Sequence, residues 1–183
     1  WYNAFIIVSN GSQAKFGTIT SKWEHFSEWK KIDNEGSKGI ISADTLMKGM
    51  CKPENLLDII ENYTLYQDIK GGKIKICGKN HQFLGVNSAI EKFKTNTDGK
   101  LGVFWHTQGS GKSFSMIFFV QKILRKIKGN WTFVVVTDRT DLDEQIYKNF
   151  VSAGAVTEQN VQADTREHLK QLLKEEQAEA LEG

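Results

Sequence analysis

The second half of the chain repeats a simple pattern of apolar residues. Four stretches place apolar residues every three or four positions, which predicts four amphipathic helices. These stretches are residues 81–96, 113–128, 139–154 and 165–177. Two continuous apolar runs, LGVFWH at 101–106 and WTFVVVTD at 131–138, lie between the first three helices and predict buried strands. From residue 101 the order is therefore strand, loop, helix, strand, helix, which is typical of a parallel sheet covered by helices.

The first half of the chain predicts smaller elements. The sequence AFIIVSNGSQAKFGTIT predicts a β-hairpin over residues 4–20, because Asn10-Gly11 between strand-forming residues is a strong turn signal. A proline opens residues 53–68, whose single apolar face predicts a helix. A short strand is predicted at residues 74–77, between glycine and lysine residues that mark a boundary between two modules.

Two stretches of the first half leave alternatives open. Residues 21–33 place Trp23, Phe26 and Trp29 three apart, which fits either an aromatic stripe on a helix or an irregular arm packed on the hairpin. The sequence NEGSKGI, which follows, predicts a loop. Residues 34–52 as a whole form either an ordered arm or a mobile linker, and their periodicity does not decide between the two.

Composition and charge narrow the function classes only slightly. Of the 183 residues, 39% are apolar and 25% are charged, a balance typical of a globular protein. The net charge of +2 does not indicate nucleic-acid binding, so any basic surface must be local. Cys51 and Cys77 lie far apart and outside any metal-binding spacing, which favours unpaired thiols in a reducing cytoplasm. No run reaches the roughly 18 apolar residues of a membrane span.

The sequence HTQGSGKS, between a predicted strand and a predicted helix, is typical of a phosphate-binding loop. Gly109 and Gly111 can adopt backbone angles that other residues avoid, which lets the backbone approach a phosphate closely. The N–H groups at the start of the following helix then point at the anion. Lys112 supplies a positive charge for the β and γ phosphates, and Ser113 offers a hydroxyl to Mg²⁺.

His106 stands where the usual motif has its first glycine. The role of that position is to turn the chain at the end of the strand, and the G-x-G-K-S core that follows is intact. A role for His106 in packing at the strand end is favoured over contact with a nucleotide. The alternative for the whole loop is a chance Gly-Ser turn with a surface lysine, which the correct elements on both sides disfavour.

Four blocks of the sequence, in this order and spacing, resemble the motor subunit of type I restriction-modification enzymes, HsdR. The blocks are FIIVSNGSQAKFGTIT followed by WEHFSEWK, then HQFLGVNSAIEKF, GVFWHTQGSGKSFSM and VVVTDRTDLDEQIYKNF. The resemblance covers residues 1–175. It implies a cytoplasmic superfamily 2 helicase-like translocase that uses ATP and Mg²⁺ to move double-stranded DNA. It also implies partner methyltransferase and specificity subunits, and coupling of translocation to DNA cleavage.

The resemblance also implies a fold and its division. The fold is α/β, with a partial RecA-like parallel sheet preceded by a smaller α+β segment made of the hairpin and a helix. Residues 1–78 correspond to the tail of a nuclease domain and a connecting arm, and residues 79–183 to the first part of a RecA-like motor domain.

Several residues take functions from this resemblance. It implies that the phosphates of ATP are bound by five consecutive residues, with Mg²⁺ at the last of them: Gly109, Ser110, Gly111, Lys112 and Ser113. Gln82 corresponds to a glutamine that reads adenine, and its amide can both donate and accept hydrogen bonds. Without the resemblance, the alternative interpretation of Gln82 is a solvent-facing residue at the start of a helix.

The sequence TDRTDLDEQ corresponds to a motif that holds the DNA backbone. Thr137, Arg139 and Thr140 are its candidate phosphate contacts, through hydroxyl groups or positive charge. The alternative is a capped helix start with Thr140 as the N-cap and acidic residues in the first turn. Both roles are compatible, although the acidic first turn leaves few donors for DNA.

Two catalytic centres of the family are not found in the sequence. No D-E-x-H motif follows residue 154, and Asp33, Glu35 and Lys38 match a nuclease motif only superficially, within a glycine-rich loop. We therefore expect a piece of a longer protein that neither cleaves DNA nor turns over ATP by itself. Steady-state ATP hydrolysis that depends on Lys112 would contradict this expectation.

Two other function classes remain open from the sequence. One is a different phosphate-loop protein, such as a nucleotide kinase or a helicase-like ATPase without a nuclease role, although no lid or acceptor pocket for a kinase is visible. The other is an interaction module that keeps only the fold. Nucleotide titration with and without Mg²⁺ separates these classes.

Overall fold

The structure, a computed structural model, describes residues 3–138, 140–152, 163 and 165–182, and for 140–143, 145 and 176–182 only the backbone. These residues form an α/β fold with two small antiparallel sheets and six α-helices. The strands are β1 (Ile6–Ser9), β2 (Ala14–Gly17), β3 (Thr64–Ile69) and β4 (Gly72–Cys77). The helices are α1 (Ala43–Gly49), α2 (Pro53–Asn62), α3 (Asn80–Thr95), α4 (Lys112–Lys126), α5 (Thr140–Ser152) and α6 (Arg166–Glu182).

The first hairpin and the arm that follows it pack together. β1 pairs with β2 around a turn in which the Asn10 side chain accepts hydrogen bonds from the Ser12 and Gln13 N–H groups at 3.1 and 2.8 Å. The segment after β2 is irregular apart from one 3₁₀ turn, and Trp29 from it lies buried beside Phe16. The irregular arm, rather than the aromatic helix, is therefore confirmed.

The second hairpin corrects the prediction of a helix over residues 53–68. α2 ends at Asn62, and β3 begins at Thr64 and pairs with β4 through a turn at Gly71. Leu65 is buried and the next residue, Tyr66, is exposed, as expected when side chains of a strand point to opposite faces. The apolar spacing of the residues before Thr64 is helical, and the sequence prediction extended it into this strand. The predicted strand at 74–77 is confirmed within β4.

Part of the ambiguous stretch 34–52 is ordered. It contains α1, whose N-cap Ser42 accepts a hydrogen bond from the Thr45 N–H at 2.9 Å. Residues 33–40 form turns and irregular backbone, so the predicted loop there is confirmed.

One aromatic cluster joins the first half of the chain to the second. Phe83 of α3 lies with its ring centroid 5.3 Å from Trp29 and 5.0 Å from Tyr63. Tyr63 in turn lies 5.3 Å from Phe118 of α4. These rings are buried, and each aromatic pair adds about 0.5–1.5 kcal/mol to the stabilisation from burial. The two halves therefore share a core, while the division at residues 78 and 79 stays a prediction.

The prediction of buried strands at 101–106 and 131–138 is wrong for this structure. Both segments are irregular, and Val103, Trp105 and Val136 are 93%, 77% and 85% exposed. A parallel strand exists only through hydrogen bonds to neighbouring strands, and none of the described residues supplies such a neighbour. A parallel sheet is therefore absent from the described part of the chain.

The helices on both sides of these segments agree with the sequence. The predicted helices at 81–96, 113–128 and 139–154 correspond to α3, α4 and α5, and the last predicted helix corresponds to α6. None of the helices in the described residues combines the length and apolar composition that a membrane span requires.

Candidate functional site

Two glycines shape the loop that precedes α4. Gly109 and Gly111 have φ angles of +75° and +84°, in the left-handed region that residues with a Cβ seldom adopt. At Gly111 a Cβ would also lie 2.8 Å from Nε2 of Gln82. The Ser110 N–H donates to the Thr107 carbonyl at 3.3 Å and closes a turn between these positions. The backbone conformation of this loop therefore requires its glycines.

The start of α4 presents backbone N–H groups. Gly111 is the N-cap and provides no side-chain cap, and the Ser115 N–H donates to the Gly111 carbonyl at 3.2 Å. The amides of residues 112–114 precede this first intrahelical bond, so they have no partner within the helix. Ser113 lies half-buried in the same turn. The arrangement can bind an anion through N–H groups and the positive end of the helix dipole.

The side chain of Lys112 folds back on the loop. Its Nζ donates to the carbonyl oxygens of His106 and Thr107 at 2.7 and 3.0 Å, and the residue is exposed. The ammonium group therefore lies at the mouth of its own loop, and both of its acceptors in the described residues are neutral carbonyl groups. A phosphate could replace these carbonyls because a charged acceptor makes the stronger hydrogen bond.

Gln82 connects α3 to the loop. Its Oε1 accepts from the Lys79 N–H at 2.8 Å, and its Nε2 donates to the Gly111 carbonyl at 2.9 Å. The residue is only 3% exposed, so it is not the solvent-facing residue of the alternative interpretation. The adenine contact inferred for it stays a prediction, and the observed hydrogen bonds give Gln82 a role in positioning the loop.

Two histidines whose rings contact each other, His81 and His106, connect the loop to other parts of the chain. His81 donates from Nε2 to the Ser110 carbonyl at 3.0 Å, and burial, the largest cause, lowers the pKa of His81. His106 lies 4.8 Å from His81 between ring centroids, and its Nε2 is 3.0 Å from Oε1 of Glu35. The Nδ1 of His106 is buried, and none of the residues that the structure describes forms a hydrogen bond with it. The loop is thus bound to α3 through His81 and to Glu35 through His106.

Two cavities flank this arrangement. One of about 380 Å³ is lined by lysines of the first half of the chain together with Asn80 and His81. A larger one, about 1300 Å³, is lined by His106, Lys112 and the irregular apolar segments. Glu35 lines both cavities. The larger cavity gives an anion access to the ammonium group of Lys112.

The DNA contacts inferred from the sequence lie mostly outside the side chains that the structure describes. Thr137 is half-buried and makes an interaction of its own. Arg139 lies outside the described residues, and Thr140 begins α5, where only its backbone is described. The three residues therefore stay a prediction. Across the described residues, no group of three or more histidine, cysteine or acidic side chains could hold a metal ion.

Sequence reasoning missed the partners of the loop. Glu35 entered only as part of a superficial nuclease motif, and His81 was not singled out. Asn80, next to His81, accepts hydrogen bonds at Oδ1 from the N–H groups of Lys30 and Lys31 at 3.1 and 3.0 Å. No sequence spacing indicates contacts between residues that are 49 to 71 positions apart. The histidine at a glycine position was the one visible signal that this loop differs from the usual pattern.

Comparison with known proteins places these features in a family. The family model for the SWI2/SNF2 ATPase matches residues 81–181. The chain is 38% identical over 94% of its length to the "Type I restriction enzyme HindI endonuclease subunit" of Haemophilus influenzae. It is 29% identical over 94% of its length to the "Putative type I restriction enzyme MjaIXP endonuclease subunit" of Methanocaldococcus jannaschii. These relatives confirm the resemblance that the four sequence blocks indicated.

The matched relatives are much longer than the chain. The alignments cover 17% of the Haemophilus protein and 18% of the Methanocaldococcus protein. The chain therefore spans about one-sixth of the length of these curated relatives.

Proposed function

The chain belongs to the SWI2/SNF2 ATPase family, and on this basis we propose that it binds ATP and Mg²⁺ at residues 106–113. The single observation that supports this most strongly is the backbone of the loop. Gly109 and Gly111 both have left-handed φ angles, and α4 begins directly after them with uncapped N–H groups. A phosphate at this position would meet several N–H donors together with the ammonium group of Lys112.

Each residue of the loop has a definite role in this proposal. The amides at the start of α4 bind the phosphate oxygens, and Lys112 turns from its own carbonyl acceptors to the terminal phosphates. Ser113 offers its hydroxyl to Mg²⁺, which neutralises phosphate charge when bound. Gly109 and Gly111 have no side chains that would block the phosphates. Ser110, between them, has only a short hydroxymethyl group.

The names of the relatives extend the proposal to the whole protein. We propose that the chain is part of the motor subunit of a type I restriction endonuclease, in which ATP hydrolysis moves double-stranded DNA and leads to its cleavage. Thr137, Arg139 and Thr140 would contact the DNA backbone, and methyltransferase and specificity subunits would complete the complex. The residues proposed for this chain are binding residues, so the activity to measure first is nucleotide binding.

Calorimetric titration with ATP tests the binding proposal. We expect saturable binding of one ATP per chain that becomes stronger when Mg²⁺ is present, because the metal offsets repulsion among the phosphates. The Mg²⁺ salt of inorganic triphosphate should compete with ATP, since the loop contacts phosphates rather than the base. A heat of binding that does not saturate, or that is identical for ATP and adenosine, would rule out a phosphate site at the loop.

Replacing Gln82 by alanine should weaken the binding of both ATP and GTP by about 10-fold. The change removes one hydrogen bond to Gly111 and one to the Lys79 N–H, each of about 0.5–1.5 kcal/mol, and about 1.4 kcal/mol corresponds to tenfold in affinity. Nucleotide titration of the variant measures the effect, with Gln13→Ala as a control at an exposed position.

The comparison of the two nucleotides separates the roles of Gln82. Equal losses for ATP and GTP would support positioning of the loop alone. An additional loss confined to ATP would support the inferred adenine contact. Unchanged affinity for both nucleotides would contradict both roles.

A further inference from the structure

The segment between the arm and α1 forms a bridge to the phosphate loop. We define residues 30–40 as the bridging loop. Its base is closed by the Ile40 N–H, which donates to the Lys30 carbonyl at 2.8 Å. The base is also fixed to α3, because Asn80 accepts from the Lys30 and Lys31 N–H groups and donates from Nδ2 to the Lys31 carbonyl at 2.9 Å. These bonds fix the base of the bridging loop and involve none of the residues of its tip.

One hydrogen-bonded pair of side chains in the described residues links the tip of the bridging loop to the phosphate loop. Oε1 of Glu35 lies 3.0 Å from Nε2 of His106, and the Lys31 side chain donates to the Glu35 carbonyl. The side chain of His106 is 12% exposed, and that of Glu35 is 40% exposed. A glycine at position 106 would have no side chain to make this contact. The histidine therefore gives the phosphate loop a connection that the usual motif lacks.

The backbone of His106 also binds Lys112. Its ammonium group is bound to the carbonyl of His106, the residue whose side chain contacts Glu35, and to the carbonyl of Thr107. Glu35 also lines the cavity that contains Lys112. A polyphosphate that enters this cavity would draw Lys112 away from the two carbonyls and would repel the Glu35 carboxylate.

We propose that Glu35 and His106 are positioning residues that hold the phosphate loop closed, with Lys112 on its own carbonyl groups, and that binding of a nucleoside triphosphate breaks the contact between Glu35 and His106 and frees the tip of the bridging loop. The inference rests on the proposed function, since it names the event that binding produces outside the loop. The first half of the chain thereby responds to the occupancy of the phosphate site. Neither residue contacts the phosphates in this mechanism.

Neutralising Glu35 should strengthen nucleotide binding. We expect Glu35→Gln to bind Mg²⁺–ATP about 3- to 10-fold more tightly than the unaltered chain, because less repulsion and a weaker contact oppose entry of the phosphates. Asp33→Asn is the matched control, because it makes the same change of charge in the same loop and cavity at a residue without a described bond to His106. We expect less than about a twofold change for this control. A gain in affinity is not expected from a variant that merely damages the fold.

The rate of hydrogen exchange at backbone N–H groups measures how freely the tip of the bridging loop opens. The Ser37 N–H donates to the Asn34 carbonyl within the tip of the bridging loop, at 3.3 Å. We expect Mg²⁺–ATP to accelerate its exchange in the unaltered chain, and to have little further effect in Glu35→Gln or His106→Gly, where exchange is already fast. Unchanged exchange of the Ser37 N–H at saturating ATP, or equal ATP affinity of Glu35→Gln and the unaltered chain, would overturn the inference.

A measurement without nucleotide separates this inference from the proposed function. Glu35→Gln should accelerate exchange of the Ser110 N–H, which is bonded to Thr107 in the phosphate loop. Unchanged exchange there would overturn the closing role of Glu35 whether or not ATP binds. If exchange at Ser110 rises but ATP fails to bind the unaltered chain, the proposed function fails, and with it the release of the contact by nucleotide.

Discussion

Replacing Lys112 by alanine should lower the affinity for Mg²⁺–ATP by about 100-fold or more. Charge-assisted hydrogen bonds are each worth about 1.5–3 kcal/mol, and two such bonds to the terminal phosphates correspond to at least two orders of magnitude in affinity. The loss should be greatest for ATP and smallest for AMP, because the ammonium group reaches the β and γ phosphates. Calorimetric titration of the three adenine nucleotides measures this gradient.

The same variant should keep its stability. Lys112 is exposed, and its observed acceptors are carbonyl groups of an exposed turn, so its removal leaves no buried group without a partner. We expect the free energy of unfolding to change by less than about 0.5 kcal/mol, as at other exposed positions. Lys128→Ala, an exposed lysine beyond the end of α4, is the control for nonspecific attraction of the nucleotide. Unaltered ATP affinity in Lys112→Ala would favour an interaction module that keeps only the fold.

The sequence predicted the elements whose structure depends on nearby residues. The apolar spacing of Phe83, Val86 and Ile90 identified α3, and all three side chains are buried. Gly109 and Gly111 were expected to take unusual backbone angles, and both have positive φ. A helix or a tight turn forms through hydrogen bonds between residues a few positions apart, so local sequence contains most of the required information.

Elements that depend on distant partners were predicted less well. The run at 131–138 has strong strand propensity, yet it forms no strand, because propensity cannot replace a hydrogen-bonded neighbour. Conversely, β3 was predicted as helix, and only its pairing with β4 reveals it as a strand. The contact between Glu35 and His106 joins residues 71 positions apart, and no periodicity could indicate it.

The greatest effect on stability is expected at a half-buried ion pair between α2 and α4. Lys122 donates to Oδ2 of Asp58 and to Oδ1 of Asn87, both at 2.5 Å. The side chains of Lys122 and Asp58 are 11% and 20% exposed. Tyr63 donates from its hydroxyl to the same Asn87 oxygen at 2.7 Å. The network therefore connects α2 with α3 and α4, the two helices whose first turns contact the phosphate loop.

Replacing Asp58 by alanine should lower the free energy of unfolding by about 2–3 kcal/mol, slightly less than for a fully buried pair because some solvent reaches both groups. Burial already lowers the pKa of Lys122, and the hydrogen bond and charge of Asp58 oppose that effect. Without Asp58 the ammonium group would remain desolvated with only neutral acceptors. Urea denaturation monitored by tryptophan fluorescence measures the change.

Lys122→Met should cost less than Asp58→Ala, about 1 kcal/mol, because the Asp58 carboxylate keeps the Asn62 amide as a donor at 2.8 Å. The double variant should then be more stable than the sum of the two single losses predicts, since it contains no unpaired charge. Lys48→Met, in an exposed pair with Asp44, is the matched control and should cost less than about 0.5 kcal/mol. Strictly additive losses, or losses equal to that of the control, would show that the pair is a surface feature. Coupling between Asp58 and Lys122 would instead show that charge pairing fixes α2 against the helix that begins at the phosphate loop.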